Sequence, residues 1–314
     1  MTYTRREAGR LALAALPATR LLARPNSKIG GVQVGIIAPY AFRGAARTAE
    51  EILKGMVDLG ISAVELQSEA VEPYAGIPGG GGRGGGGRGR GTLTPEQQEA
   101  RKKAVEDVRN WRLSVSMDKY KALRRMYQDA GVSIYGFKLG FTDSMTDAEY
   151  DYVFNVAAAL GANQVTMELP NSVELTKRIG DFAARRKIYV AYHNHTQVNE
   201  QSWDAALAQS PYNALNLDVG HFTAAISKDP IPFIRQHHAR IKSMHFKDRK
   251  YGTNGSANMP WGQGDTPLKG VLQLMKKERY DFPATIELEY PVPEGSTPMA
   301  ELGKCLKFCQ DALA

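Results

Sequence analysis

The chain has 314 residues, 43% hydrophobic and 23% charged, which is ordinary for a globular protein able to bury a substantial core. Its formal charge of +7 invites a nucleic-acid partner, but residues 1–28 carry +5 (Arg5, Arg6, Arg10, Arg20, Arg24 and Lys28 against Glu7), and Arg83, Arg88 and Arg90 add +3. Removing both from +7 leaves about −1, so the remaining body lacks a phosphate-tracking surface and no nucleic-acid partner is expected.

At the amino end, Thr4-Arg5-Arg6-Glu7 precedes a modest apolar run from Leu11 to Leu16. A twin-arginine pair before a weakly hydrophobic segment suits an export signal for folded proteins, so residues 1–28 read as a signal or tail and the location as periplasmic. The alternatives are an amphipathic helix or a plain tail on a cytoplasmic protein. No run is long enough for a membrane span. From there strand and helix alternate. Val32–Ala38 is an apolar strand, Thr48–Leu59 a helix, and Ile61–Leu66 a second strand. A glycine tract follows, with eleven of the chain's 31 glycines between Gly76 and Gly91, and it predicts a flexible insert over 76–92. Thr94–Arg112 reads as a charged helix, followed by a helix over Asp118–Asp129 and a strand over Val132–Phe137. A helix capped by Ser144 or Thr146 leads to strand four, Gln164–Leu169, and then to a helix over Val173–Arg186. Strands five to eight are Ile188–His193, Ala214–Asp218, Ile241–Phe246 and Ala284–Glu289, with helices near Pro230–His238, Pro267–Glu278 and Pro298–Ala312. Cys305 and Cys309 are four apart in the last helix, a spacing for packing side by side rather than bonding. Eight strands alternating with helices predict an α/β fold, a single (β/α)8 TIM barrel over 29–314. A doubly wound sheet would need a nucleotide fingerprint after the first strand, and Ala38-Pro39-Tyr40-Ala41-Phe42 is not one.

The chemistry gathers at the strand ends. Tyr192-His193-Asn194-His195, Leu217-Asp218-Val219-Gly220-His221, His245-Phe246-Lys247-Asp248 and Glu287-Leu288-Glu289 hold four of the six histidines. Residues two apart share a face of a strand, so His193 pairs with His195, His245 with Lys247, and Glu287 with Glu289, the last nearer the mouth. Glu168 ends strand four in the same sense, and His221 follows strand six in a turn eased by Gly220. Carboxylates converging among imidazoles repel one another unless a cation is present. Such oxygen and imidazole donors suit one divalent ion, Mn, Mg, Co or Zn.

Asp218-x-x-His221, His245-x-Lys247 and Glu289-Tyr290, with Gly262-Gln263-Gly264-Asp265 between the last two, resemble the sugar phosphate isomerase/epimerase family, the xylose isomerase-like barrels. That group also holds keto-sugar epimerases, hydroxypyruvate isomerase, inosose and dehydroshikimate dehydratases, and endonuclease IV. The resemblance implies a metal held by Asp218, His245 and Glu289. The strand-five ligand is usually glutamate; here His193 stands there, so His193 or Glu168 completes the set. It further implies proton abstraction next to a carbonyl through an enediolate, with Glu289 or His195 as base and His221 and Lys247 orienting substrate oxygens or returning a proton. The expected partner is a small sugar or keto-sugar, and a homo-oligomer is compatible with the chain. The expected activity is isomerase or epimerase, with a keto-sugar dehydratase, lyase or hydratase as second reading. An endonuclease or a non-catalytic sugar-binding barrel stands behind both.

Overall fold

A computed structural model describes residues 24–81 and 94–314. The twin-arginine segment up to residue 23 and the stretch 82–92 of the glycine tract lie outside the described residues. Eight parallel strands form the barrel: β1 Val32–Ala38, β2 Ala63–Gln67, β3 Ser133–Lys138, β4 Gln164–Glu168, β5 Tyr189–His193, β6 Asn213–Asp218, β7 Ile241–Phe246 and β8 Ala284–Ile286, and the short segment Lys28–Ile29 adds to β1 antiparallel. Each pairs with its neighbour in chain order, and β1 pairs with both β2 and β8, closing the barrel. The predicted (β/α)8 barrel is therefore the fold.

The helices are α1 Ala49–Leu59, α2 Ser68–Ala75, α3 Pro95–Ser114, α4 Met117–Asp129, α5 Asp147–Leu160, α6 Val173–Arg186, α7 Asp204–Gln209, α8 Val219–Ile226, α9 Ile231–His237, α10 Leu268–Glu278 and α11 Pro298–Leu313. Local chemistry sets their ends. Thr48 and Thr146 each accept from the amide three residues on, while Glu51 and Glu149 return the bond, so α1 and α5 begin in capping boxes. Of the two caps open for α5, Thr146 is used. Cys305 and Cys309 are buried and free on α11, as their spacing predicted.

Three short helices were not legible: α7, of only six residues, and two more. The first of those two is α2, whose eight residues include Pro73 and show little periodicity. The second, α8, replaces the expected turn at Gly220: it starts directly after β6, with Asp218 as its N-cap. The charged α3 packs over the rim, where Arg112 grips Glu72 through two bonds of 2.8 and 3.0 Å and Arg109 meets Glu149 at 2.9 Å. The folded body also begins a little before residue 29. Ser27 is buried, and its hydroxyl donates to Val34 O at 2.6 Å.

Alternation along the strands divides the core in two. Val64, Leu66, Leu215, Leu217, Met244 and Phe246 point outward and are fully buried under the helices. Their neighbours Glu65, Asn216, Asp218, Ser243 and His245 face the barrel axis and are equally buried. The axis is thus filled by hydrogen-bonded polar groups rather than branched apolar ones. Near its lower end Tyr135 OH meets Thr285 Oγ1 at 2.6 Å, and above that Ser243 Oγ donates to Gln164 Oε1 at 3.3 Å.

Candidate metal and active site

Register brings the strand ends together. Glu168 lies beside His193, His193 beside Asn216, and Asp218 beside His245. Each of these pairs then projects toward the axis at the carboxyl end of the sheet. His193, Asp218, His245 and Glu287 form one group of buried donors whose ligand atoms all lie within 4.8 Å of one another.

A polar layer beneath orients these donors. The Glu65 carboxylate accepts from Thr166 Oγ1 at 2.7 Å and from Asn216 Nδ2 at 2.9 Å, and stands 2.8 Å from His245 Nε2. Because carboxylate oxygens only accept, the Asn216 amide must aim its nitrogen at Glu65 and its oxygen at His193 Nδ1, 3.0 Å away. His193 therefore keeps its proton on Nδ1 and turns the lone pair of Nε2 outward. Burial pushes the His193 ring well below its ordinary pKa, with Lys138 and His245 acting in the same direction, so it is neutral, as a ligand must be.

His245 behaves differently. Its Nδ1 is 2.7 Å from Glu287 Oε2 while Nε2 faces Glu65. Burial opposes charge on the ring, but Glu65 and then Glu287 outweigh it and raise the pKa to about 9. Without a cation the ring is an imidazolium between two carboxylates. Its contribution to stability is full below the unfolded value near 6.5 and is lost as pH rises through about 9. Urea titrations of chelated protein across that interval should show stability falling with pH; a flat profile would contradict the ion pairs.

Lys247 fills the space above. Its ammonium is 3.0 Å from Asp218 Oδ2, 3.0 Å from Glu287 Oε1 and 2.7 Å from Glu289 Oε2. Burial would lower the lysine pKa, but Asp218 and the two glutamates hold it above the ordinary value. Burial also raises the Glu287 carboxyl, and there Lys247 and His245 prevail and keep it well below the carboxylate range. At Asp218 burial wins over Lys247 and lifts the pKa to about 7. The backbone N–H of His221 donates to Asp218 Oδ1 at 2.6 Å, whereas the buried Oδ2 has no hydrogen-bond partner and meets Lys247 only as an ion pair. An orphaned carboxylate oxygen beside two imidazoles and a second carboxylate fits a divalent ion.

Gly220 permits this approach of α8. A Cβ there would lie 2.5 Å from Lys247 O and 2.4 Å from Lys247 Cγ. Gly220→Ala should cost about 1–3 kcal/mol in urea unfolding through overpacking and should weaken cation binding, since Asp218 and Lys247 are pushed apart. Wild-type values in both measurements would refute the close approach.

The other expected residues lie higher. Glu289 accepts from Tyr40 OH at 2.9 Å and from Lys247, and is not in the four-donor group; Glu287 takes that place. Glu168 is 48% exposed and pairs with Lys138 at 3.0 Å, outside the group, so His193 is the strand-five candidate. His195 is 52% exposed, with Nε2 3.6 Å from Glu168 Oε2. His193, His195 and His221 form a second cluster of possible ligand atoms. It contains no carboxylate, Lys247 and Arg249 flank it, and it needs the one free nitrogen of His193. A cation is therefore better neutralised in the first group.

Sequence reasoning preferred Glu289 to its inner neighbour Glu287 as the ligand, and it passed over the roles of Glu65, Asn216 and Tyr40. Two carry a legible signal: Glu65 is a lone acid inside Ala63-Val64-Glu65-Leu66, and Asn216 interrupts Leu215-Asn216-Leu217. A polar residue on the inner face of a barrel strand needs a partner across the axis.

Several solved structures share this fold. The probable 3-DHS dehydratase AsbF involved in petrobactin synthesis from Bacillus anthracis has a TM-score of 0.60 and 15% identity, covering 88% of this chain and 98% of that one. A sugar phosphate isomerase/epimerase from Parabacteroides distasonis gives 0.58 and 17%, over 89% and 96%. The 3-keto-D-glucoside 4-epimerase of E. coli gives 0.57 and 10%, over 89% and 99%. No curated protein matches the sequence. The pattern that defines the xylose isomerase-like TIM barrels matches residues 103–309, well over half of the chain, and the protein belongs to that family.

Proposed function

We propose that the protein is a divalent-metal-dependent isomerase or epimerase of keto-sugars, acting by removal of a proton next to a carbonyl. The observation that carries this reading is the buried group His193, Asp218, His245 and Glu287 at the carboxyl ends of β5 to β8. A cation held there would polarise a substrate carbonyl and the adjacent hydroxyl.

The chain's own groups supply the proton chemistry. Glu289 sits above the donor group, held by Tyr40 and Lys247, where its carboxylate can take the proton from one face of the carbon. His195 at the open rim can act from another side, with Glu168 steadying its ring. Lys247 brings positive charge to oxygens that become negative as the proton leaves. Return of a proton to the opposite face of the same carbon gives an epimer; return to its neighbour gives an isomer.

A dehydratase or lyase is the second reading, and it rests on His193. With a neutral, buried imidazole on strand five, exchange between two carboxylates is not available, and His195 with Lys247 forms a one-sided acid–base pair suited to eliminating a group. The two readings separate in deuterated water with Mn2+, using ketoses and 3-keto-glycosides. Deuterium uptake without loss of a group supports isomerisation; release of water or an aglycone supports elimination. Absence of both with every substrate would leave a binding protein.

A further inference from the structure

Helix α3 buries none of its 20 residues, and every residue from Thr94 to Asp107 is exposed. The body holds it by its last turns, through Arg109, Arg112 and Trp111, whose ring meets Tyr152 edge-on at 6.4 Å. Most helices in proteins owe their stability to a packed face rather than to propensity. The capping box of Thr94 with Gln97 and the pair Lys103–Asp107 at 3.1 Å support α3 locally, but neither replaces such a face. Residues three and four apart in a helix lie on one side of it. Pro95, Glu99, Lys102, Glu106, Arg109 and Leu113 follow one another at those intervals and form a single stripe. At 3.6 residues per turn, Trp111 lies about 160° around the helix from the middle of that stripe, so the stripe points away from the body. Arg109, at its edge, gives Nε to Glu149 at 2.9 Å and keeps two Nη groups for a second carboxylate. The stripe is open: the side chains of Glu99 and Lys102 are 78% and 76% exposed, and Leu113 is 50% exposed.

Charge along the stripe alternates negative, positive, negative, positive between one apolar residue at each end. That order is complementary to itself when reversed. Against a second copy running the other way about a two-fold axis, Lys102 meets Glu106, Glu99 meets Arg109 and Pro95 meets Leu113, each pair occurring twice. Parallel copies in register would set like charge against like at every level. A two-fold contact has this property, because residue i meets j while j meets i. We infer that the α3 stripe is the contact between two copies of this chain, paired antiparallel. It joins the two barrels by their rims. Two helices of this length bury a small and polar area, so the dimer is weak, reversible and sensitive to salt. The contact does not depend on the reaction proposed above.

The test is sedimentation velocity of the full chain over a concentration series, at about 0.05 M and about 0.5 M salt. The wild type should pass from monomer to dimer at low salt and associate at least about tenfold more weakly at high salt. Lys102→Glu and Glu106→Lys should each associate at least about tenfold more weakly than wild type at low salt, since each sets like charges together in both copies of the central pair. Mixed with one another, these two variants should dimerise, and the double variant Lys102→Glu/Glu106→Lys should recover the wild-type association. Both side chains are exposed, so thermal melting followed by circular dichroism should be unchanged in every variant. A wild type that stays monomeric throughout would overturn the inference, and that is the result expected if another protein or another part of this chain covers the stripe. A dimer indifferent to salt and to both substitutions would overturn it too, as would two variants that fail to associate when mixed.

Discussion

Glu65→Ala is expected to cost about 3–5 kcal/mol of folding stability and to weaken divalent-cation binding by about 10- to 100-fold. Neither effect comes from direct contact with a substrate. Glu65 is fully buried and accepts from Thr166 and Asn216 while facing His245 Nε2 at 2.8 Å. Removing it strands a buried imidazolium and two buried donors, each lacking water to replace the lost partner. It also frees Asn216, whose oxygen fixes the His193 tautomer, and frees the plane of His245. Two proposed ligands therefore lose their orientation in one substitution. Glu65→Gln keeps the volume but offers only one acceptor oxygen, so it should fall between wild type and Glu65→Ala. Urea unfolding and calorimetric titration with Mn2+ measure both effects. Unchanged cation affinity in Glu65→Ala would mean that His245 and Glu287 hold their geometry unaided.

Lys247→Met should be as damaging in the absence of metal and partly repaired in its presence. The ammonium is the common partner of Asp218, Glu287 and Glu289, and Met fills nearly the same space without charge. Three carboxylates crowded without a counter-charge should cost about 3–5 kcal/mol. A divalent ion neutralises Asp218 and Glu287 directly, so saturating Mn2+ should stabilise Lys247→Met more than it stabilises wild type. Turnover should stay low even then, because the positive charge opposite the developing oxygen charge is gone. Equal stabilisation of both proteins by Mn2+ would show that cation and ammonium do not share these carboxylates.

Much of this was open to reading from the residues. The alternation of apolar strands with capped helices gave all eight barrel strands within a few residues, because buried parallel strands are continuous apolar runs and Thr48 and Thr146 announce their helices. Asp218, His193 and His245 stood out as polar residues at the ends of such runs. The choice between Glu287 and Glu289 did not, since two glutamates two residues apart share one face and only the depth of β8 relative to β7 separates them. That depth is fixed by the pairing of Thr285 with His245. Nor could local pattern show that Glu65, from a strand across the barrel and 180 residues away in sequence, would bind His245. The helix beginning at Asp218 was hidden because Val219-Gly220 reads as a turn; the capping carboxylate and the close approach to Lys247 override that preference.

The central claim is that His193, Asp218, His245 and Glu287 hold a divalent ion, and bound-metal analysis of the wild type beside Glu287→Gln and Glu289→Gln tests it most directly. Wild type should carry one ion per chain, Glu287→Gln should bind it at least about tenfold more weakly, and Glu289→Gln should keep it while losing turnover. An ion retained by Glu287→Gln and lost from Glu289→Gln, or no ion in the wild type, would contradict the account.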